Sequence, residues 1–156
     1  MRSLLQPPGP RQGRACLVFA RAASGVYLIL GILGLMMTGF DYFSNVTGIG
    51  LLVFTVNPLT NVIHLAVGVI GIAMTVDVVW ARRFCLILGV LGLPFAIVGF
   101  LLDGSLSDYF AANPELNTLH LVTAVGALGL ALWPDRAPTE AEPEAAATET
   151  SRSVSA

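Results

Sequence analysis

Long apolar runs, separated by short polar segments, dominate the chain. Four of them are 17 to 20 residues long and cover about 22–40, 61–80, 84–102 and 117–133. A helix needs roughly 20 apolar residues to cross about 30 Å of hydrocarbon, so the pattern predicts an all-α membrane protein with a four-helix bundle. A fifth run, GIGLLVFTV at 48–56, is too short to span as a helix. We expect it at the membrane interface or folded back over the bundle.

Composition agrees with this prediction. Hydrophobic residues make up 55% and charged residues 12% of the 156 residues, and the mean hydropathy is +0.78. Such values are typical of membrane proteins and not of soluble domains. The expected surroundings are a lipid bilayer, with a second copy or another membrane protein as candidate partners and no nucleic acid.

The two ends of the chain differ from this apolar body. Residues 1–14 contain three arginines and three prolines, and residues 135–156 are rich in Pro, Glu, Ala and Thr. The first segment resembles the charged start of a secretory signal, but the apolar run after it exceeds the roughly 7 to 15 residues of a signal core. We therefore expect a retained first helix, a transmembrane domain over 15–134 and a disordered acidic cytoplasmic tail.

The cationic residues predict the orientation in the membrane. All eight are arginines, and none of them lies in the loops 41–60 and 103–116. Because positively charged loops stay on the cytoplasmic side, both termini are expected in the cytoplasm and the protein in the plasma membrane. Aromatic residues should then mark the two interfaces. They are Trp80 and Trp133 on the inner side, and Tyr42, Phe43, Tyr109 and Phe110 on the outer side.

The chain also contains an internal repeat. LILGILGL at 28–35 returns as LILGVLGL at 86–93, and NPLTNVIHL at 57–65 returns as NPELNTLHL at 113–121. Two shorter landmarks lie between them in the same order, Gly39-Phe40 with Gly99-Phe100 and Asp41-Tyr42-Phe43 with Asp108-Tyr109-Phe110. The order favours a duplication. Since each copy holds two spans, we predict two tandem two-helix repeats of the same orientation.

Each predicted span carries two glycines three residues apart. Glycines let membrane helices approach closely, where lipid supplies no hydrophobic drive for association. We expect these pairs to pack inside the bundle, with a seam between copies as the alternative. The pairs are Gly31 and Gly34, Gly68 and Gly71, Gly89 and Gly92, and Gly126 and Gly129.

The two histidines stand at corresponding places in the repeat. His64 follows Asn61 by three residues and His120 follows Asn117 by three, so each pair shares a helix face near the start of its span. One interpretation is structural: Asn-Pro forms the turn, the second asparagine caps the helix, and the histidines hydrogen-bond across the bundle. The other is functional, since ionisable groups inside membranes are candidate sites. The imidazoles would then handle protons or bind a polar ligand, a metal ion or a haem, whose axial nitrogens lie about 4 Å apart.

Other polar residues add no catalytic constellation. Cys16 and Cys85 are expected to act as small apolar residues, and Asp77, the one acid inside a span, to pair with an arginine or reach the interface. The leading hypothesis is a non-catalytic packing or partner-binding module without a cofactor or metal. The alternatives are a redox or ligand-binding subunit using His64 and His120, and a small oligomeric transporter or channel.

The order of these motifs resembles a known family. An arginine-led first span, then NPxxNxxHLxxG, then NxLHL opening the fourth span, is similar to an actinobacterial family of four-helix membrane proteins, the domain of unknown function 4383. The resemblance covers about residues 14–133 and is most specific in NPLTNVIHLAVGVIGIAM. It implies an integral membrane protein with both termini inside, and it implies no activity. Its motif is matched by Asn57, Asn61, His64, Asn117 and His120.

Overall fold

Four helices carry most of the described chain. The computed structural model describes residues 7–41, 43–44, 49–101 and 109–134. Within them the helices are α1 (Pro10–Thr38), α2 (Pro58–Ala73), α3 (Val78–Leu101) and α4 (Pro114–Leu132). Each is long and apolar enough to cross a membrane, α2 together with the short 3-10 helix Met74–Val76 that continues it. The prediction of an all-α, multi-pass membrane protein with four spans is confirmed.

Some predictions concern residues outside the described ranges. The predicted disordered tail, 135–156, is one of them, and the outer-belt residue Tyr42 is another. The repeat landmark Asp108 and the loop segment 102–108 also lie outside those ranges.

Both repeated Asn-Pro motifs start a helix at the proline. Asn57 precedes α2, and its Oδ1 accepts a hydrogen bond from the Thr60 backbone N–H at 2.9 Å. Asn113 does the same before α4, where its Oδ1 accepts from the Leu116 N–H at 3.0 Å. These are N-cap bonds, which satisfy donors that the first helical turn leaves without partners. The expectation that the second asparagine of each motif caps the helix is therefore wrong.

The junction between α2 and α3 also corrects an expectation. The helix ends before Asp77, which has extended backbone angles and an exposed side chain. Its Oδ1 accepts from the backbone N–H groups of Val79 at 2.7 Å and Trp80 at 3.0 Å. Asp77 thus caps the start of α3, where a carboxylate also complements the helix dipole, and it does not lie inside a span.

The short apolar run after α1 forms a β-hairpin. Strands β1 (Ile49–Leu51) and β2 (Phe54–Val56) pair antiparallel, with Leu51 opposite Phe54. Leu51 and Val56 are buried in one cluster with Leu30 of α1. The hairpin therefore covers one end of the bundle, which we call the hairpin end, and it satisfies its backbone groups by strand pairing.

The bundle consists of two tightly packed helix pairs. The most extensive contacts join α1 to α2 and α3 to α4. At the end opposite the hairpin, α1 meets α3 and α4 through small buried residues. Cys16 and Cys85 belong to this cluster and are both fully buried, so small side chains permit the close approach there.

Several of the predicted glycine pairs lie where two helices touch. A Cβ atom added to Gly31 would come within 2.5 Å of the Leu65 backbone nitrogen, and one at Gly68 within 2.5 Å of the Leu28 nitrogen. Gly71 faces Ser24 and Phe84. The last pair differs, because Gly129 has open space around it.

Corresponding residues of the sequence repeat make different contacts in the two helix pairs. Asn61 lies directly against Gly34, whereas Asn117 lies against Gly99. The 58-residue offset of the repeat would instead equate Gly34 with Gly92, seven residues before Gly99. At 1.5 Å per residue, this difference is a slide of about 10 Å along α3. Corresponding positions in the sequence therefore have different neighbours in the two halves.

Candidate functional site at the hairpin end

The two histidines meet between the helices, in the half of the bundle nearer the hairpin. His64 Nε2 lies 3.1 Å from His120 Nε2, which is a hydrogen bond between α2 and α4. One ring donates its Nε2–H in this bond and the Nε2 of the other ring accepts. Exposed fractions of 2% for His64 and 8% for His120 show that both side chains are enclosed by the protein. This contact joins the two helix pairs.

An aromatic shell encloses the histidine pair. The ring centroid of Tyr27 lies 5.4 Å from that of His64 and 6.1 Å from that of His120. Phe95 of α3 also meets the His120 ring, edge to face with the centroids 5.2 Å apart. The Tyr27 hydroxyl lies 2.7 Å from Thr123 Oγ1. Since Thr123 donates to a backbone carbonyl of its own helix, the tyrosine is the donor in this bond.

Sequence reasoning did not find Tyr27 or Phe95. A signal for Tyr27 exists, because it is the one aromatic residue between Phe19 and Phe40 and carries a hydroxyl into an apolar run. Phe95 carries no such signal. Phe95 lies beside His120 because α3 is shifted along α4 relative to the register of the first helix pair. The residue of α3 that corresponds to Tyr27 in the repeat does not lie there.

Each capping asparagine also hydrogen-bonds to the other half of the chain. Asn57, before α2, donates its side-chain amide to the Tyr109 carbonyl at 2.9 Å. Asn113, before α4, donates its amide to the Thr55 carbonyl in β2 at 2.8 Å. Each asparagine therefore caps its own helix with its oxygen and holds the other half with its nitrogen. The Asn-Pro motifs indicate the helix starts, but the sequence favoured Asn61 and Asn117 as the caps and does not show the crossed bonds.

The other predicted asparagines lie away from the histidine contact. Asn61 donates its amide to Thr38 Oγ1 at 3.1 Å, near the end of α1. Asn117 lies against α3 and lines a cavity of about 120 Å³ together with His120. Of the four predicted site residues, the structure thus brings His64 and His120 together, and it places each asparagine within its own helix pair.

A second cavity lies beside the histidines. It has a volume of about 200 Å³, and its lining includes Tyr27, Thr60 and Thr123 as well as both imidazoles. Within the described residues, the Nδ1 atoms of His64 and His120 are buried and have no hydrogen-bond partner. Buried polar atoms of this kind are uncommon in folded proteins, and Ser24 Oγ and Asn61 Oδ1 at the α1–α2 contact are two further examples among the described residues.

Comparison with known proteins places the chain in a family. The family model described as "Domain of unknown function (DUF4383)" matches residues 18–133. The chain belongs to this family. No curated protein and no solved structure matches it. The DUF4383 match includes both Asn-Pro helix starts and both histidines.

The geometry in this DUF4383 chain does not fit a haem held between the histidines. Two axial nitrogens on one iron lie about 4 Å apart with the macrocycle between them, whereas these nitrogens are 3.1 Å apart and bonded to each other. A zinc ion would need about four donors. Within the described residues, no group of three or more His, Cys, Asp or Glu could hold a metal ion. The arrangement instead suits a hydrogen-bonded connection between helices.

Proposed function

We propose that this protein is a non-catalytic four-helix module of the cell membrane that acts by binding a membrane-protein partner. The observation that carries the proposal is the hydrogen bond between His64 and His120. It directs the two imidazoles of the bundle at each other, and the asparagine caps likewise direct their amides at the opposite half. Polar groups used in this way specify how membrane helices associate.

The hairpin tip supports partner binding. Leu52 and Val53, at the turn between the two strands, have exposed fractions of 86% and 69%. Exposed apolar side chains on an ordered turn favour contact with another protein or with the headgroup region. With the arginine-free loops on the outer face, this surface would lie outside the cell.

An absorption spectrum and metal analysis of the purified protein test the proposal. We expect no Soret band and no stoichiometric metal, both in the wild type and in His64→Gln. A chromophore or a bound metal in the wild type that is lost in His64→Gln would overturn the structural role. It would support the redox alternative instead.

A second candidate function is binding of a polar ligand, or proton handling, at the histidine pair. The specific observation in its favour is the pair of buried Nδ1 atoms beside the cavity of about 200 Å³. Native mass spectrometry of the full-length protein tests it. A small molecule retained by the wild type and released by His64→Phe and by His120→Phe would favour this candidate, and equal spectra would count against it.

A small transporter or channel is the remaining alternative, and it requires an oligomer. Gly31 and Gly68 face neighbouring helices of the same chain, whereas Gly129, among the paired glycines of the described spans, has open space that a second copy could occupy. Light scattering in mild detergent is expected to show a monomer. A defined oligomer that Gly129→Leu dissociates would favour the transporter.

A further inference from the structure

A groove between α1 and α4 combines two arginines with an apolar wall. It lies at the end away from the hairpin and has a volume of about 660 Å³. Arg11 and Arg14 line its start, Val18 and Ala22 continue it along α1, and Leu130 of α4 forms the opposite side. These α1 residues recur at helical spacing, so the groove follows one face of the helix.

The groove has the length of one membrane leaflet. From Arg11 to Ala22 the helix advances eleven residues, or about 16 Å at 1.5 Å per residue. Half of the hydrocarbon core is about 15 Å thick. The arginines therefore lie at headgroup depth when the apolar part lies among the acyl chains.

Two glycines of α4 next to Leu130 differ in what surrounds them. A Cβ atom at Gly126 would come within 3.0 Å of the Phe19 ring, so the two helices meet there. At Gly129, one turn nearer the arginines, such a Cβ atom would have nothing within 4 Å. The apolar part of the groove, where Val18 and Ala22 face Leu130, forms a slot beside the arginines.

The charges of the groove have no counter-charge in the described part of the chain. Neither Arg11 nor Arg14 has a hydrogen bond, ion pair or ring contact with any described residue. The other three described arginines do have protein contacts: Arg82 with the Ala131 carbonyl, Arg21 with the Thr75 carbonyl, and Arg83 with the Trp80 ring. Two free guanidinium groups above an apolar slot match a molecule with an anionic head and a hydrocarbon tail.

We propose that this groove binds an anionic phospholipid of the cytoplasmic leaflet. Its phosphate oxygens accept charge-assisted hydrogen bonds from Arg11 and Arg14, and one acyl chain lies along Val18 and Ala22 against Leu130. Guanidinium groups near an anionic membrane surface contribute about 1 kcal/mol each, which is about fivefold in affinity. The site uses neither histidine and stands independently of the function proposed above.

Native mass spectrometry of the full-length chain tests the charged end. The protein is supplied with phosphatidylglycerol or with phosphatidylcholine of the same acyl chains, and the retained lipid is counted. We expect preferential retention of phosphatidylglycerol, reduced about fivefold by Arg14→Gln and further by Arg11→Gln with Arg14→Gln. Arg83→Gln is the charge-matched control and should retain the preference. Equal retention of the two lipids by the wild type, or an equal loss in Arg83→Gln, would overturn the site.

A change of shape tests the apolar end without changing charge. Ala22→Trp fills the slot and should reduce retention of phosphatidylglycerol, whereas Val69→Trp, at an exposed position of α2 outside the groove, should not. Equal effects of the two substitutions would contradict a defined lipid site. A dimer formed in lipid-free detergent and dissociated by Ala22→Trp would assign the groove to a second copy and would also overturn the proposal.

Discussion

At the scale of single residues, the contact between the two histidines gives polar groups a partner inside an otherwise apolar bundle. A lone imidazole among apolar helices leaves two nitrogens without partners, at a cost of about 1–3 kcal/mol for each unsatisfied group. Placing His64 and His120 3.1 Å apart satisfies one nitrogen of each ring. Both rings share this stabilisation, so removing one histidine leaves the other without its hydrogen-bond partner.

Replacement by leucine is expected to reveal this dependence. His64→Leu and His120→Leu should each lower the free energy of unfolding by about 1–2 kcal/mol, because each leaves the remaining ring without its partner. The double variant should lose clearly less than the sum, since two apolar side chains need no hydrogen bond. Unfolding in mixed micelles with increasing dodecyl sulfate provides the measurement. Additive losses would show that the rings do not interact.

The capping asparagines allow their two bonds to be separated. Asn57→Ala removes both the cap and the bond to the Tyr109 carbonyl and should cost about 1–2 kcal/mol of stability. Asn57→Asp keeps the cap acceptor but has no amide to donate, so it should cost less than Asn57→Ala and more than nothing. Asn113→Asp provides the symmetric comparison in the same unfolding assay. If Asn57→Asp matches the wild type, the crossed bond contributes no stability.

At the scale of helices, the glycine pairs determine how closely neighbours approach. Gly68 faces the Leu28 backbone on α1, where no side chain fits, whereas Gly129 faces open space. The same sequence pattern thus has two physical roles. Inside the bundle it permits contact, and at Gly129 of α4 it leaves open space.

Alanine substitution distinguishes these roles. Gly68→Ala is expected to destabilise the protein by about 1–3 kcal/mol, because the added methyl group forces α1 and α2 apart. Gly129→Ala is the matched control, and it should leave stability unchanged or raise it by up to about 1 kcal/mol, since alanine favours the helix more than glycine does. Thermal unfolding in detergent measures both. Comparable losses at the two positions would contradict the packing described here.

At the scale of the whole molecule, the two helix pairs are joined by contacts at both ends of the bundle. The asparagine caps and the histidine bond join them at the hairpin end, and small residues around Cys16 and Cys85 join them at the other end. At that second end, Gln12 and Arg82 both donate to the Ala131 carbonyl near the end of α4. These contacts satisfy carbonyl groups that a helix C-terminus leaves without partners.

The orientation of the bundle gives a prediction at this scale. A reporter fused within 104–112 should be outside the cell, and one fused at the C-terminus should be inside, because every arginine lies on the side of the termini. Paired phosphatase and fluorescent-protein fusions in a bacterial host measure this. An internal signal from the 104–112 fusion would refute the arginine argument and would place the lipid groove in the opposite leaflet.

The sequence by itself determined the four spans and placed a helix start in each Asn-Pro motif, although it favoured Asn61 and Asn117 as the caps where the structure has Asn57 and Asn113. Both features depend on residues that are close together in the chain: a span on the length of its apolar run, and a helix start on its capping residues. A short stretch of sequence is therefore enough to predict them. Only the tertiary structure decided that His64 meets His120, that Tyr27 and Phe95 enclose the pair, and that α3 slides seven residues out of the repeat register. These features depend on how the helices pack within each pair and between the pairs. That packing is a balance of many contacts between residues distant in the chain, and no local pattern contains it.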